Sequence, residues 1–506
     1  LTSGERSDLI AGNIEPSSLS GVTRNWDFPG VGTSDLTDSV SSVVLEDVIG
    51  NVVYDAADNP PISGPSGPAA QVVQIDLTLT VNATQGPVIP TPEEGGGKGN
   101  YFIGQNGSGA ADGSSPENAI AIGSVAWGSR LDDNNYLIGE ISSLVTLTAN
   151  GNSDSDRMRI YGDWPGHECV ITNPSSSGIN ISANFISFRG ITVDGCLQNG
   201  IRFANGANRA GYDFTNVVSK NNGQKGIAWI QTVAFSLSDV TCTDCNFDFN
   251  DEAGIFINTT SIDPASALSN LEFIRTSSLG NGDNAAKIGN AGIDTKNHSG
   301  IIVNDCDWSE CTGQDGGTAI DGFTASAYGQ NVITSSKFNK NYGLNGGLNL
   351  LDCEFFEVTF NEANENKAYT DATESTVTID GNGILIDNGC SNIMCYGNEC
   401  SGNEGNTTHD NSGAALMVLG ADNVCAYGNY GTGNRSGLLI GGATSHANDY
   451  LCHNTFLQNI EFGVYVGNAV TDDLIRIRNN ILTGNGSGTG FYRETGVDQT
   501  CLLYTS

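Results

Sequence analysis

The stretch Gly254-Ile255-Phe256-Ile257 decides how this chain folds, because its pattern returns along most of the sequence: a Gly or small residue, an aliphatic, a variable residue and usually a second aliphatic. Other copies are Ile201-Arg202-Phe203 and Val464-Tyr465-Val466. The first aliphatic of each copy reads Ile179, Ile201, Ile227, Ile255, Ile293, Ile320, Leu348, Ile384, a weaker Ala415, Leu438 and Val464, at intervals of 22 to 38 residues. A period of that size means one supersecondary unit stacked many times.

Each unit consists of short alternating runs, the mark of half-buried strands, separated by Asn, Gly, Asp and Ser turns. Second runs such as Phe185-Ile186-Ser187-Phe188 and Ile301-Ile302-Val303 lie between the Gly-aliphatic signals. Two or three strands per repeat with no helical period predict an all-β chain wound as a parallel β-helix of about twelve coils. Asn398, Asn429, Asn454 and Asn480 recur where the units turn. Asn tolerates the left-handed turn conformation, and stacked amides can hydrogen-bond from rung to rung.

The 506 residues carry 57 acidic against 21 basic side chains, a formal net charge of −36. Such a surface repels nucleic acid and anionic membranes and suits saline surroundings or bound divalent cations. No stretch is apolar for long enough to span a bilayer. The chain is expected to work outside cells or on a virion. Its thirteen cysteines are an odd number, several lying inside strand runs. Cys242-Thr243-Asp244-Cys245 has CxxC spacing without a second pair to complete a zinc site, so these thiols are expected as small core residues.

Residues 1–88 break the repeat, with a Pro-rich loop at 59–65 and one long alternating run over 71–81; they are expected to form a β-rich attachment module docking to a larger assembly. A Pro- and Gly-rich linker follows over 89–99. The β-helix is then expected over 100–506. Its opening, Tyr101-Phe102-Ile103-Gly104-Gln105-Asn106-Gly107-Ser108, followed by Asp112-Gly113-Ser114-Ser115-Pro116-Glu117-Asn118, resembles the entry segment of the pectate-lyase-like right-handed parallel β-helix superfamily. That resemblance implies the fold. It leaves function open, because the superfamily includes polysaccharide lyases, hydrolases, epimerases, phage tailspikes and adhesins.

Phasing the coils points to a site. In Gly-aliphatic-X-aliphatic the aliphatics face inward, so X residues face outward and stack about 4.8 Å apart. The expected column is Asn180, Arg202, Ala228, Phe256, Asp294, Asp321, Asn349, Leu385, Leu439 and Tyr465. Asp294 and Asp321 then form a carboxylate pair, near the about 5 to 5.5 Å of retaining glycosidases, able to share a proton or hold Ca²⁺ as metal ligands. Lys296 and His298 on the same rung complete the expected catalytic group as bases. Arg202, Trp229, Phe256, Phe323 and Asn349 are the expected substrate contacts, the aromatics by stacking on sugar rings. An acidic run, Asp244, Asp248, Asp251 and Glu252, is a weaker Ca²⁺ candidate.

The expected function is that of a tailspike-, tail-fibre- or adhesin-like protein recognising a polysaccharide or cell-surface glycan, assembled as a homotrimer. The alternative is a secreted polysaccharide lyase or glycoside hydrolase acting on an acidic glycan.

Overall fold

The computed structural model describes residues 99–231, 235–259, 267–290, 297–313, 316–343, 346–368, 381–405, 412–441, 446, 448–467, 475–486 and 491–493, with three two-residue strands, Val43–Val44, Gln74–Ile75 and Leu502–Leu503. The chain divides into two units, 1–94 and 95–506. In the first, Val43–Val44 pairs antiparallel with Gln74–Ile75. The rest of the expected attachment module lies outside the described residues.

The second unit is a right-handed parallel β-helix. Alternating runs too short to make a sheet alone each pair with the same run one repeat later, so every strand finds its partners in the neighbouring coils. Three sheets result. The first has 13 strands, from Val145–Leu147 to Phe491–Arg493, and the second has 16. The third is short and interrupted, with a 4-stranded and a 3-stranded part. Ile179–Ile181 on the first sheet, Ile186–Arg189 on the second and Thr192–Asp194 on the third make up one coil before Ile201–Phe203 begins the next.

The turn between the second and third sheets is made by one residue in the left-handed region. Gly190, Asn216, Asp244, Asp305 and Gly397 hold it in five of the coils, as the conformational tolerance of Gly, Asn and Asp allows. Arg275 and Phe360 adopt it too, against their intrinsic preference.

The expected Asn stacking is present twice. Asn361, Asn398, Asn429 and Asn454 each donate from Nδ2 to Oδ1 of the Asn one coil on, ending at Asn480. A parallel ladder runs from Asn366 through Asn403, Asn434 and Asn459 to Asn485. Each acceptor oxygen also takes a backbone N–H, as Asn434 Oδ1 does from Asn403. Buried amides that would be costly alone are thereby satisfied from rung to rung, up to the last, Asn485, whose Nδ2 has no partner among the described residues.

Inside, one continuous apolar core runs from Tyr101 to Ile477. Phe188 and Phe214 stack face to face at 4.8 Å on consecutive coils. The twelve cysteines among the described residues are unpaired, ten of them buried. Burial pushes the Cys169, Cys245 and Cys395 thiols up to about 12, so they are protonated packing groups, as expected of the CxxC pair. At the entry, Asn100–Gly104 pairs in parallel with Asn134–Leu137. The Tyr101 ring lies over Gly113, where a Cβ would come within 2.2 Å of it, and the Arg130 guanidinium covers the ring at 3.5 Å.

Candidate functional site

The hydrogen-bond register settles which side chains share the outward face of the first sheet. Asn180 pairs with Arg202, Arg202 with Ala228, and Ala228 with Phe256. Phe256 then pairs with Lys287, Lys287 with Ala319, Ala319 with Asn349, and Asn349 with Leu385. The expected column is therefore right on both sides of the proposed carboxylate pair and wrong at the pair itself. Lys287 and Ala319 occupy the two places expected for Asp294 and Asp321.

The cause is local. The strand of that coil is Asn284–Asn290, in which Ala286 and Ile288 face the core, and it ends before Ile293. Asp294 and Lys296 lie outside the described residues. In the next coil Thr318 takes the first inward place and Ile320 the second, so Asp321 falls at the strand end opposite Leu351. It is 7% exposed. The chain there passes so close to Gly289 that a Cβ on that glycine would sit 2.0 Å from the Asp321 carbonyl oxygen.

Three further expectations are corrected by burial. His298 is fully buried, its Nδ1 accepting the Leu268 N–H at 2.9 Å and its ring against Phe323 at 5.2 Å. Burial lowers its pKa to about 3, so it is a neutral structural acceptor rather than a surface base. Trp229 and Phe323 are also fully buried, Trp229 because it occupies the second inward place of its strand, opposite Ile257. Neither ring can meet a sugar.

Three acids of the acidic run have partners within the protein. Asp244 makes a two-pronged bond to Arg275, at 2.6 and 2.9 Å. Asp248 accepts from Ser277 Oγ and the Leu279 N–H, and Glu252 pairs with Lys225. No group of three or more His, Cys, Asp or Glu suited to a metal ion occurs among the described residues.

What the face does carry is a basic and aromatic band. Arg202 is exposed, and Phe256 and Lys287 are half-buried. Lys225 starts the strand Lys225–Gln231, and its Nζ lies 4.7 Å from the centre of the Phe256 ring. Four consecutive strands thus present Arg202, Lys225, Phe256 and Lys287, over three rung steps or about 14 Å. Glu252 neutralises part of this charge at Lys225. Asn349, two rungs beyond Lys287, is half-buried and extends the polar surface. Arg202, Phe256 and Asn349 were legible from the repeat. Lys287 was missed, although Ala286-Lys287-Ile288 fits the small-X-aliphatic rule, because Gly292-Ile293 fits it more strongly a few residues later.

Such a band can bind an anion through charge and the apolar face of a sugar through Phe256. No family model and no curated protein matches the chain. Among solved structures it is similar to a lacto-N-biosidase of family GH136 from Eubacterium ramulus, at 13% identity over 78% of this chain and 67% of that one, with a TM-score of 0.36. It is also similar to the mannuronan C-5 epimerase A-module from Azotobacter vinelandii, at 13% over 64% and 88%, TM-score 0.33. A third is the catalytic domain of a GH87 α-1,3-glucanase, at 13% over 92% and 83%, TM-score 0.35.

Proposed function

We propose that this chain acts on an anionic polysaccharide laid along the outward face of the first sheet, as a polysaccharide lyase or glycoside hydrolase. One observation carries the reading: Arg202, Lys225 and Lys287 lie within three rungs of one another around a half-buried Phe256, in a chain of net charge −36. Three of 21 basic residues gathered on one face oppose the general field and favour a ligand of opposite charge. Stiff strands hold the cations at a fixed repeat, which suits a polymer with regularly spaced carboxylate or sulfate groups. A cation beside a uronate carboxylate also stabilises the charge that develops when the adjacent proton is removed, the demand of β-elimination.

The test is to incubate the full chain with polyuronates and sulfated polysaccharides, following retention by affinity electrophoresis and cleavage by reducing ends and unsaturated product. Retention that weakens about tenfold or more in the Arg202→Gln/Lys287→Gln variant, with cleavage lost alongside, is the expected result. Retention without turnover would return the chain to the binding-protein class expected from its N-terminal module and linker. No retention of any anionic glycan would remove the proposal.

A further inference from the structure

The second sheet carries a cleft of about 620 Å³ on another face of the solenoid, and the residues lining it differ in kind from the basic band. Its floor is the outward column in which Thr241 pairs with Glu272 and Glu272 with Ile302. One rim is built from Asp239, Asn270 and Gly300, which hold φ of 55°, 53° and 71° on three successive rungs. This bulge lifts Asp239 and Asn270 out of the regular pleat toward the cleft. The opposite end is closed by Arg157, tied by ion pairs to both Asp154 and Asp213.

The cleft is a built concavity rather than a chance group of acids. Asp239 is held on both oxygens, by Asn270 Nδ2 at 2.8 Å and by Ser238 Oγ at 2.8 Å. Glu272 has no ion-pair or hydrogen-bond partner among the described residues and is half-buried in the floor. Ser299 and Gln330 add uncharged donors and acceptors on the wall, Leu271 and Ile302 are its apolar residues, and the lining as a whole mixes polar and apolar surface. The volume is that of a small-molecule site, and the mixed lining offers apolar surface to a sugar ring face and polar atoms to its hydroxyls. The ligand that fits is rich in hydroxyls. Since the one cation present is already shared by two carboxylates, the free charge of the cleft is negative, so an anionic sugar is repelled and a protonated amine is attracted.

We propose that this cleft is a second saccharide site, selective for amino sugars with a free, protonated amine, which Glu272 and Asp239 engage. It is independent of the band on the first sheet, and its test separates the two. Titration calorimetry of the full chain with a tetramer of glucosamine and with its N-acetylated counterpart should show the acetylated oligomer binding at least tenfold more weakly. Glu272→Gln, an outward and nearly isosteric change, should weaken the glucosamine oligomer by a similar factor while leaving retention on anionic glycans unchanged. Lys287→Gln should do the reverse. Equal binding of the two oligomers, no binding of either, or no effect of Glu272→Gln overturns the proposal. Spermine binding as tightly as the oligomer also overturns it, since the site would then read amine charge alone.

Discussion

Along the outward column of the first sheet, the rungs from Asn180 to Lys287 and those from Leu385 to Tyr465 use the same backbone positions for opposite chemistry. The early rungs present Asn180, Arg202, Phe256 and Lys287 at an exposed or half-buried surface. The late rungs present Leu385, Met417, Leu439 and Tyr465, which also face away from the core yet are almost wholly buried, forming a second apolar cluster with Ala414 and Leu419. In a stacked repeat, direction is set by register and environment by what packs outside it, so a side chain facing outward need not face water. The early half can afford a ligand-facing band; the late half is a second structural seam.

The two halves also hold buried histidines in opposite states, and this gives the largest expected effect. His298, in the early half, stays neutral because burial lowers its pKa to about 3. Its contribution is present above the unfolded value near 6.5 and is lost as pH falls toward 3, when only the unfolded chain takes up the proton, at a cost of up to about 5 kcal/mol. For His446, burial lowers the pKa, but the Asp449 carboxylate at 3.0 Å and the Gly441 carbonyl at 2.8 Å more than offset it, leaving a net rise. Asp449 is raised as well, chiefly by burial. The His446 contribution is therefore complete below pH 6.5 and lost as pH rises through its folded-state value, while the raised Asp449 costs stability from its unfolded value of 3.8 upward, so both groups weaken the late rungs as pH rises. Hydrogen exchange, corrected for intrinsic rates, should open the early rungs first in acid and the late rungs first in alkali. Both halves opening together at each extreme would break the contrast.

Packing should separate the halves next. Leu439→Ala is expected to cost about 3 kcal/mol because it empties a buried site, although the residue faces outward. Phe256→Ala, at the equivalent place in the early half, should cost about 1 kcal/mol, mostly the contact with Lys225. Chemical denaturation of the two variants compares them. Equal costs would mean that the late column is no seam.

The smallest contrast is an expected absence of contrast. The Asn ladder serves both halves, with Asn222 and Asn250 bonding onward to Asn250 and Asn281 just as Asn403 and Asn434 bond to Asn434 and Asn459. Asn250→Ala and Asn434→Ala should each cost about 2 kcal/mol, since each leaves buried neighbours unsatisfied. A difference of more than about 1 kcal/mol between them would show that the halves differ in their interior and not only on their outer face.

Much of this was legible in the residues. Gly or small residue, aliphatic, X, aliphatic is a direct record of inward and outward alternation, so Arg202, Phe256, Asn349 and Leu439 could be placed in one column before any coordinates existed. The Asn residues at the turns announced their ladder, but the left-handed conformation expected of them belongs to the residue before each, Gly397, Gly428, His453 and Asn479, so the reach of the amide from rung to rung places them rather than tolerance of the turn. Trp229 was misplaced as a sugar contact because an aromatic in the second inward place looks the same in sequence as one on the surface, and Phe323 because it lies past the end of its strand, bridged to His298 a coil away. His298 was misread for a similar reason: the donor to its ring nitrogen, the N–H of Leu268, lies a whole coil earlier.

By itself, then, the sequence determined the winding: short alternating runs with a period near one coil have no other way to bury their aliphatics and pair their backbones. Tertiary structure decided the register. Between Ile257 and Leu348 two segments per coil satisfy the pattern, and the choice of Ala286-Lys287-Ile288 over Gly292-Ile293-Asp294 is made by hydrogen bonds to Phe256 and Ala319 on neighbouring rungs. That choice put a lysine where an aspartate pair was expected and turned the charge of the face from negative to positive. Strand stacking likewise put Thr241 and Glu272, residues a coil apart in sequence, side by side in the cleft of the second sheet.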